Sequence, residues 1–269
     1  MTNVVLLANP AHQTALNTRK RLVQKGHLSC DQELRFCGFI LRASRDGSKQ
    51  SIIWDHRRWL LNRRFLHPSV DISALSLAVS GNLQEAKPFP MIPHDSIEVE
   101  FELIRSACTT YPRNYHAWTH WRYLMDAIYL TMAGSEEGYI HFVHIAKEEF
   151  DSLLQWIESH ASDTSAIHHL CSIQKRFHQL PSPITTQGPL LKDLLSPTAI
   201  ANHAVSLVER YPSHESLWIY TRSSLIDAPV ADRSDIFHKT ETNAYASRSL
   251  CWLSERVSCD MKCFPIMSS

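Results

Sequence analysis

One short pattern recurs five times along the chain, and it constrains the fold more than any other feature of the sequence. Its fullest copy reads Asn-Tyr-His-Ala-Trp from Asn114 to Trp118 and continues to Arg122. Each copy is centred on one large apolar residue, here called its anchor, and the anchors are Leu16, Trp54, Trp118, Ile167 and Trp218. Such repetition is typical of an array of similar units, each of which buries its apolar face against its neighbours.

The spacing within each copy matches one face of an α-helix. Seven residues after the anchor stands an apolar residue in every copy except that of Ile167, which has Gln174. Four residues after the anchor stands Cys171 in that same copy and a basic residue in the others: Lys20, Arg58, Arg122 and Arg222. Because these positions share one helix face, each copy predicts one helix. We expect its arginine to lay its stem against neighbouring rings and to reach carbonyls or acids of the next helix.

A further helical pattern precedes three of the copies, at residues 97–108, 139–159 and 198–210. Asn, Asp and Ser are favoured caps for the first turn of a helix. The sequence therefore predicts helical hairpins whose second helices begin near Ala11, Ser51, Asn114, Asp163 and Ser213. Stacked hairpins of this kind give an all-α fold of the α–α superhelix class, a solenoid.

The hairpins are expected to form a single solenoid domain over residues 1–257, with about five repeats and a last helix at 244–257. The anchors are unevenly spaced, and the extra residues are rich in Pro and Ser and poor in charge. They predict loop insertions near 67–95 and 181–197. Residues 258–269 are expected to form a C-terminal tail outside the repeat pattern.

Composition narrows the classes of function. The chain has 269 residues, of which 44% are hydrophobic, so it can bury a substantial core. Basic and acidic residues balance at 27 each, which gives no general case for binding nucleic acid. No segment predicts a membrane span or a secretory signal. Seven cysteines without a framework of spacings are typical of reduced thiols, so we expect a cytoplasmic protein.

Motifs for metal binding or independent catalysis are weak. Cys259 and Cys263 lack a second pair of ligands at a suitable distance. His116 and His120 lie one helical turn apart, but Ala117 stands where a zinc-protease motif requires glutamate. The sequence also lacks a nucleophile elbow, a phosphate loop and a dinucleotide fingerprint. We therefore expect neither a metal nor a cofactor on this chain.

The Asn-Tyr-His-Ala-Trp-x-x-x-Arg pattern, with a helix before it and reiterated along the chain, resembles the repeat of protein prenyltransferase α subunits. Within that family, the copy from Asn9 to Lys20 and the loop after the second copy are most similar to the branch of α-subunit repeat-containing proteins. The similarity covers residues 1 to about 226 and the expected last helix.

The resemblance implies a non-metal α subunit that wraps around a separate β subunit. In the family, the β subunit carries the catalytic zinc and the isoprenoid pocket, and the α subunit offers polar groups to the isoprenoid diphosphate. Here the matching positions are Arg113, Tyr115 and His116, with Arg113 in place of the family's lysine. The implied reaction is transfer of a farnesyl or, as we favour, a geranylgeranyl group to a C-terminal cysteine of a protein substrate.

The residues themselves point to the same place. A helix that begins at Asn114 presents free amides and the positive end of its dipole, which suit an anion. Arg113 would add a charge and Tyr115 a hydroxyl donor. In the alternative interpretation, Arg113 is a solvated neighbour of the helix cap and Tyr115 packs on the adjacent hairpin.

Two copies depart from the family pattern. The Leu16 and Ile167 copies lack the tryptophan, and the Ile167 copy also lacks the basic residue. These departures keep a second hypothesis open, in which the chain is a non-catalytic α-solenoid that binds protein partners.

Overall fold

Helices form all the regular secondary structure of the residues that the structure describes, which are 1–43, 45–65, 91–180 and 188–229. This computed structural model confirms the all-α fold class expected for an α–α superhelix. None of the helices in those ranges combines the length and hydropathy needed to cross a bilayer. The helices are α1 (Thr2–Ala8), α2 (Gln13–Gln24), α3 (Cys30–Ala43), α4 (Arg45–Ser48), α5 (Ser51–Phe65), α6 (His94–Thr110), α7 (Tyr115–Gly134), α8 (Glu136–Ser159), α9 (Thr164–His178), α10 (Gly188–Leu194), α11 (Pro197–Arg210) and α12 (Glu215–Asp227).

The second helices of the hairpins, α2, α5, α7, α9 and α12, begin within two residues of the predicted positions. Asn114 and Asp163 are caps, since their side-chain oxygens accept hydrogen bonds from the amides of Ala117 at 3.1 Å and Ala166 at 3.2 Å. The prediction of Ser213 as a cap was wrong. His214 precedes α12, and its side chain makes no capping hydrogen bond.

Several predicted boundaries differ from the structure or fall outside it. Residues 94–95 belong to α6, and residues 188–194 form α10 within a segment expected to be a loop. Leu191 of α10 is buried, which gives this short helix an apolar contact with the core. The rest of the two loop segments, apart from residues 91–93 and 195–197, lies outside the described residues. So do the expected helix at 244–257 and the tail at 258–269.

The chain divides into two compact units, Met1–Thr131 and Met132–Ser269, so a single solenoid over residues 1–257 stays a prediction. In the first unit, α3 packs against α5 and α6, and α2 packs against both α1 and α5. In the second, α9 packs against α8 and α12, and α12 pairs with α11. Each unit therefore consists of helices from successive hairpins in contact with one another.

All five anchors are buried, as the helical stripe predicts, with Trp54 and Trp218 no more than 1% exposed. The indole nitrogens of these two residues still find acceptors. Trp54 Nε1 donates to the carbonyl of Ser48 at 2.9 Å, and Trp218 Nε1 donates to that of Pro212 at 2.9 Å. The acceptor in each case lies six residues before the anchor. The repeat thus buries a large ring without leaving its polar atom unsatisfied.

The buried arginines stand one residue earlier than expected. Arg58 and Arg122 are half-buried and pair with acids on their own helices, Asp55 and Asp126. Among the residues that the structure describes, the deeply buried arginines are Arg19 and Arg57, three residues after their anchors. In a helix, positions three and four residues after the anchor lie on opposite sides of it, because each residue advances the face by roughly 100°. The neighbouring hairpin packs against the side of the helix that carries the residue three positions after the anchor.

Each of these arginines reaches a carboxylate on the next hairpin. Arg57 Nε and Nη2 bond Glu100 on α6 at 2.5 and 2.6 Å, and Nε2 of His120 on α7 lies 2.9 Å from the same carboxylate. Arg19 on α2 and His56 on α5 hold Glu33 on α3 in the same way. We call these two clusters the carboxylate links. Each link joins one second helix to both helices of the following hairpin.

The buried anchors predict a large difference between two neighbouring substitutions on α12. Trp218→Ala removes a ring that is 1% exposed, whereas Ile219→Ala removes a side chain from a residue that is 43% exposed. Trp218→Ala should lower the free energy of unfolding by about 3–5 kcal/mol, and Ile219→Ala by less than about 1 kcal/mol. Chemical denaturation of both variants measures this. Equal effects would place the Trp218 ring outside the core.

Candidate functional site

The turn between α6 and α7 holds Arg113 in an unusual backbone conformation. Its φ is +60°, and it is the only non-glycine residue with positive φ in the described part of the chain. A side chain at such an angle costs roughly 1–2 kcal/mol relative to an ordinary conformation. Arg113 is also exposed to solvent. A strained, exposed cation is therefore fixed at the entrance to α7.

Asn114 determines where this turn sits. Its side-chain oxygen caps α7, and its Nδ2 donates to the carbonyl of Ser48 at 2.8 Å. That carbonyl also accepts from the Trp54 indole, so one backbone oxygen ties the start of α7 to the preceding hairpin. Asn114 itself is 1% exposed. The position of Arg113 thus follows from a buried contact between two hairpins.

Tyr115 and His116 are the first two residues of α7, and they differ in exposure to solvent. Tyr115 is 57% exposed, so it does not pack wholly on the adjacent hairpin. Its ring meets that of His116 edge to face, with the centroids 5.8 Å apart. Burial lowers the pKa of the half-buried His116, although Asp55 acts in the opposite direction. The imidazole is therefore neutral at pH 7 and can accept or donate a hydrogen bond.

Charged groups from two more helices adjoin this start of α7. Asp55 and Arg58 on α5 pair with each other, and both influence the pKa of His116. Asp55 also acts on Lys20 of α2, whose pKa lies below its usual value because burial outweighs the opposing effect of that carboxylate. The three second helices α2, α5 and α7 therefore contribute polar groups along one side of the first unit. Sequence reasoning missed Asp55, since no other copy of the repeat has an acidic residue directly after its anchor.

The second carboxylate link, formed by Arg57, Glu100 and His120, connects α7 to α5 and α6 in the core. Burial would raise the pKa of Glu100, but the Arg57 guanidinium and the His120 hydrogen bond outweigh it and lower the pKa to about 2. Burial lowers the pKa of His120 to about 4, despite the opposing effect of Glu100. At pH 7 the link therefore consists of a carboxylate, a guanidinium and a neutral imidazole. This set of groups gives the buried charge one full counter-charge.

Two residues of the first carboxylate link form a group of three potential metal ligands together with the nearby Cys37. One ligand atom each from Glu33, Cys37 and His56 lies within 4.8 Å of the others, and all three residues are buried. The Arg19 guanidinium already bonds both oxygens of Glu33. A metal ion would have to share this carboxylate with a buried positive charge, which disfavours binding. Burial also raises the pKa of the Cys37 thiol to about 12, so the thiol is protonated.

Comparison with known proteins agrees with the repeat pattern. Residues 97–128, within α6 and α7, match the sequence model of the protein prenyltransferase alpha subunit repeat. The chain is 28% identical over 247 residues to protein prenyltransferase alpha subunit repeat-containing protein 1 of Danio rerio, with 82% of this chain and 53% of the relative covered. It is 28% identical over 251 residues to the Homo sapiens protein of that name, with 82% and 57% covered.

A third relative, protein prenyltransferase alpha subunit repeat-containing protein 1-B of Xenopus laevis, is 25% identical over 247 residues, with 82% of this chain and 53% of the relative covered. The chain thus spans about half the length of the curated relatives it matches. These matches confirm the resemblance to the α-subunit repeat that the sequence pattern indicated.

The neutral His120 predicts a specific pH dependence of stability. The unfolded histidine takes up a proton near its ordinary pKa of 6.5, whereas the folded one does so only near 4. Stability should therefore fall as the pH drops from 6.5 towards 4, by up to about 1.4 kcal/mol per pH unit from this group. His120→Gln keeps a donor for Glu100 but cannot titrate. Its free energy of unfolding should be less pH-dependent than that of the wild type, and identical slopes would contradict the assignment.

Proposed function

We propose that this chain, which carries the repeat of protein prenyltransferase α subunits, is the α-type subunit of a heterodimeric protein prenyltransferase. Its partner is a β-type subunit that supplies the zinc and the isoprenoid pocket. The pair transfers an isoprenoid, which we propose to be geranylgeranyl, from its diphosphate to a C-terminal cysteine of a protein substrate. The proposed compartment is the cytoplasm.

The observation that carries this proposal is the strained, exposed Arg113 at the start of α7. A residue keeps a costly backbone conformation only where its surroundings over-determine it, and such residues cluster at functional sites. Here Asn114 fixes the turn, and the residue whose charge is presented corresponds to the family's diphosphate-binding lysine. The exposed Tyr115 adds a phenolic donor beside it.

The arrangement suits the charge that develops during transfer. The cysteine thiol first loses its proton to solvent, and the resulting thiolate sulfur forms a bond to C1 of the isoprenoid while the bond from C1 to the diphosphate oxygen breaks. The electron pair of that bond stays on the diphosphate, which gains negative charge. The Arg113 guanidinium and the Tyr115 hydroxyl then donate hydrogen bonds where the charge accumulates. The positive end of the α7 dipole acts in the same direction.

Substitutions at Arg113 separate a chemical role from a structural one. Arg113→Ala and Arg113→Gly both remove the guanidinium, but only glycine relieves the left-handed strain. Both variants should slow single-turnover transfer by the reconstituted pair by roughly ten- to a thousandfold. Arg113→Gly should nevertheless be at least as stable as Arg113→Ala. Arg113→Lys should recover much of the rate, because it keeps the charge.

A matched control is Arg35→Ala, which removes an exposed arginine from α3. This variant should leave the rate constant and the assembly with the β-type subunit unchanged. A wild-type rate in Arg113→Ala would contradict the chemical role and leave a partner-binding function only. If the wild-type chain joins no prenyltransferase β-type subunit, the whole proposal fails in favour of the non-catalytic solenoid.

A further inference from the structure

Charge is unevenly distributed among the helices of the first unit, although the chain as a whole is balanced. Helix α2 contains no acidic residue, and α5 contains one, Asp55. The exposed or half-buried cations of these two helices are Lys20, Arg21, Arg58, Arg63 and Arg64. By contrast, α6 exposes the acids Asp95, Glu98 and Glu102. Helices α2 and α5 are thus locally basic, whereas α6 is acidic.

A single tryptophan organises the basic side chains. Lys20 Nζ of α2 lies 4.7 Å from the ring centroid of Trp59, and Cζ of Arg63 lies 5.8 Å from it. His56 stacks on the same ring from the interior, with the centroids 5.5 Å apart. Two cations that are 43 residues apart in sequence therefore share one ring. Attraction between cation and ring holds them in place without neutralising their charge.

We infer that this basic surface, defined by Lys20, Arg58, Trp59 and Arg63, docks an acidic segment of the β-type subunit. The inference rests on the proposed function and identifies the part of the chain that recognises the partner. The surface carries three cations, and the neighbouring carboxylate of Asp55 pairs with one of them, Arg58, which leaves an excess of two positive charges. Such an excess attracts a partner surface of opposite charge and speeds its association.

The spread of the cations favours a protein segment over a small anion. Arg58 and Arg63 are five residues apart on one helix, which corresponds to roughly 7.5 Å along its axis. Lys20 belongs to the neighbouring helix, so the charges cover a surface rather than converge on one point. Carboxylates spaced along a polypeptide match such an arrangement. The half-buried Trp59 adds the aromatic contact area that is enriched at the centres of protein interfaces.

Pre-ordering of the cations should also contribute to affinity. Long basic side chains lose rotamer freedom when they enter an interface, which weakens binding. Lys20 and Arg63 already lie against the Trp59 ring, which stacks on His56, so less rotamer freedom remains to be lost on binding.

The test is a charge reversal with a control of equal charge. Lys20→Glu/Arg63→Glu places two carboxylates on the surface, whereas Arg35→Glu/Arg42→Glu makes the same change in charge at two exposed positions of α3. Affinity for a prenyltransferase β-type subunit is measured by titration calorimetry at about 50 and about 300 mM salt. The ionic strength of these two conditions differs about sixfold. Circular dichroism checks that both variants fold as the wild type does.

The Lys20→Glu/Arg63→Glu variant should bind the β-type subunit at least about tenfold more weakly at low salt, with a reduced salt dependence. Arg35→Glu/Arg42→Glu should bind as the wild type does. If both double variants bind like the wild type, the docking surface is wrong while the proposed function stands. If the wild type itself fails to bind, the proposed function falls and this inference with it.

Anionic vesicles test whether this surface binds a membrane instead of the β-type subunit. Vesicles of phosphatidylcholine with one third phosphatidylserine are mixed with the wild type and the Lys20→Glu/Arg63→Glu variant. We expect no difference between the two in sedimentation with these vesicles. Vesicle binding that the substitution abolishes, with affinity for the β-type subunit unchanged, would assign the surface to a membrane and overturn the inference.

Discussion

The carboxylate of Glu100 is the point on which the arrangement of the first unit depends. It is buried at 2% exposure and bonds Arg57 from the preceding hairpin and His120 from its own. An unpaired carboxylate at this depth would be strongly destabilising, so the helices are stable only where all three groups meet. Apolar packing alone tolerates small sliding between helices, whereas a bidentate ion pair requires one relative position. Glu33, with Arg19 and His56, imposes the same requirement one hairpin earlier.

The candidate site inherits its geometry from these buried contacts. Glu100 holds α5 against α7, and the Asn114 side chain then bonds the Ser48 carbonyl across the same two hairpins. With both ends of the contact fixed, the intervening turn has little freedom, and Arg113 adopts a left-handed conformation. The cost of that conformation is small compared with the contacts that enforce it. A cation is thereby presented at a helix start, where the proposed diphosphate would lie.

Much of this architecture was predictable from the sequence, because it depends on residues close together in the chain. The anchors, from Trp54 to Trp218, follow from a single helical face, and the caps at Asn114 and Asp163 act within one turn. The carboxylate links were not predictable in this way. Glu100 reads as an ordinary polar residue of an amphipathic helix, and its partner Arg57 is 43 residues away. Which side of the anchor carries the buried arginine depends on how hairpins stack, and the pattern within one helix leaves both sides open. The recurrence of Glu33, Glu100 and Glu149 with His56, His120 and His169 was the available signal.

A double-mutant cycle on Arg57 and Glu100 tests this account most directly. Arg57→Met leaves a buried carboxylate without its counter-charge, Glu100→Gln leaves a buried guanidinium without its own, and each should cost about 3–5 kcal/mol of unfolding free energy. The double variant removes both charges, so we expect a coupling energy above about 2 kcal/mol. The more exposed pair of Arg58 and Asp55 serves as the reference, with Arg58→Met and Asp55→Asn expected to couple by less than about 1 kcal/mol. Additive effects of the Arg57 and Glu100 substitutions would contradict the claim that this pair fixes how the hairpins stack.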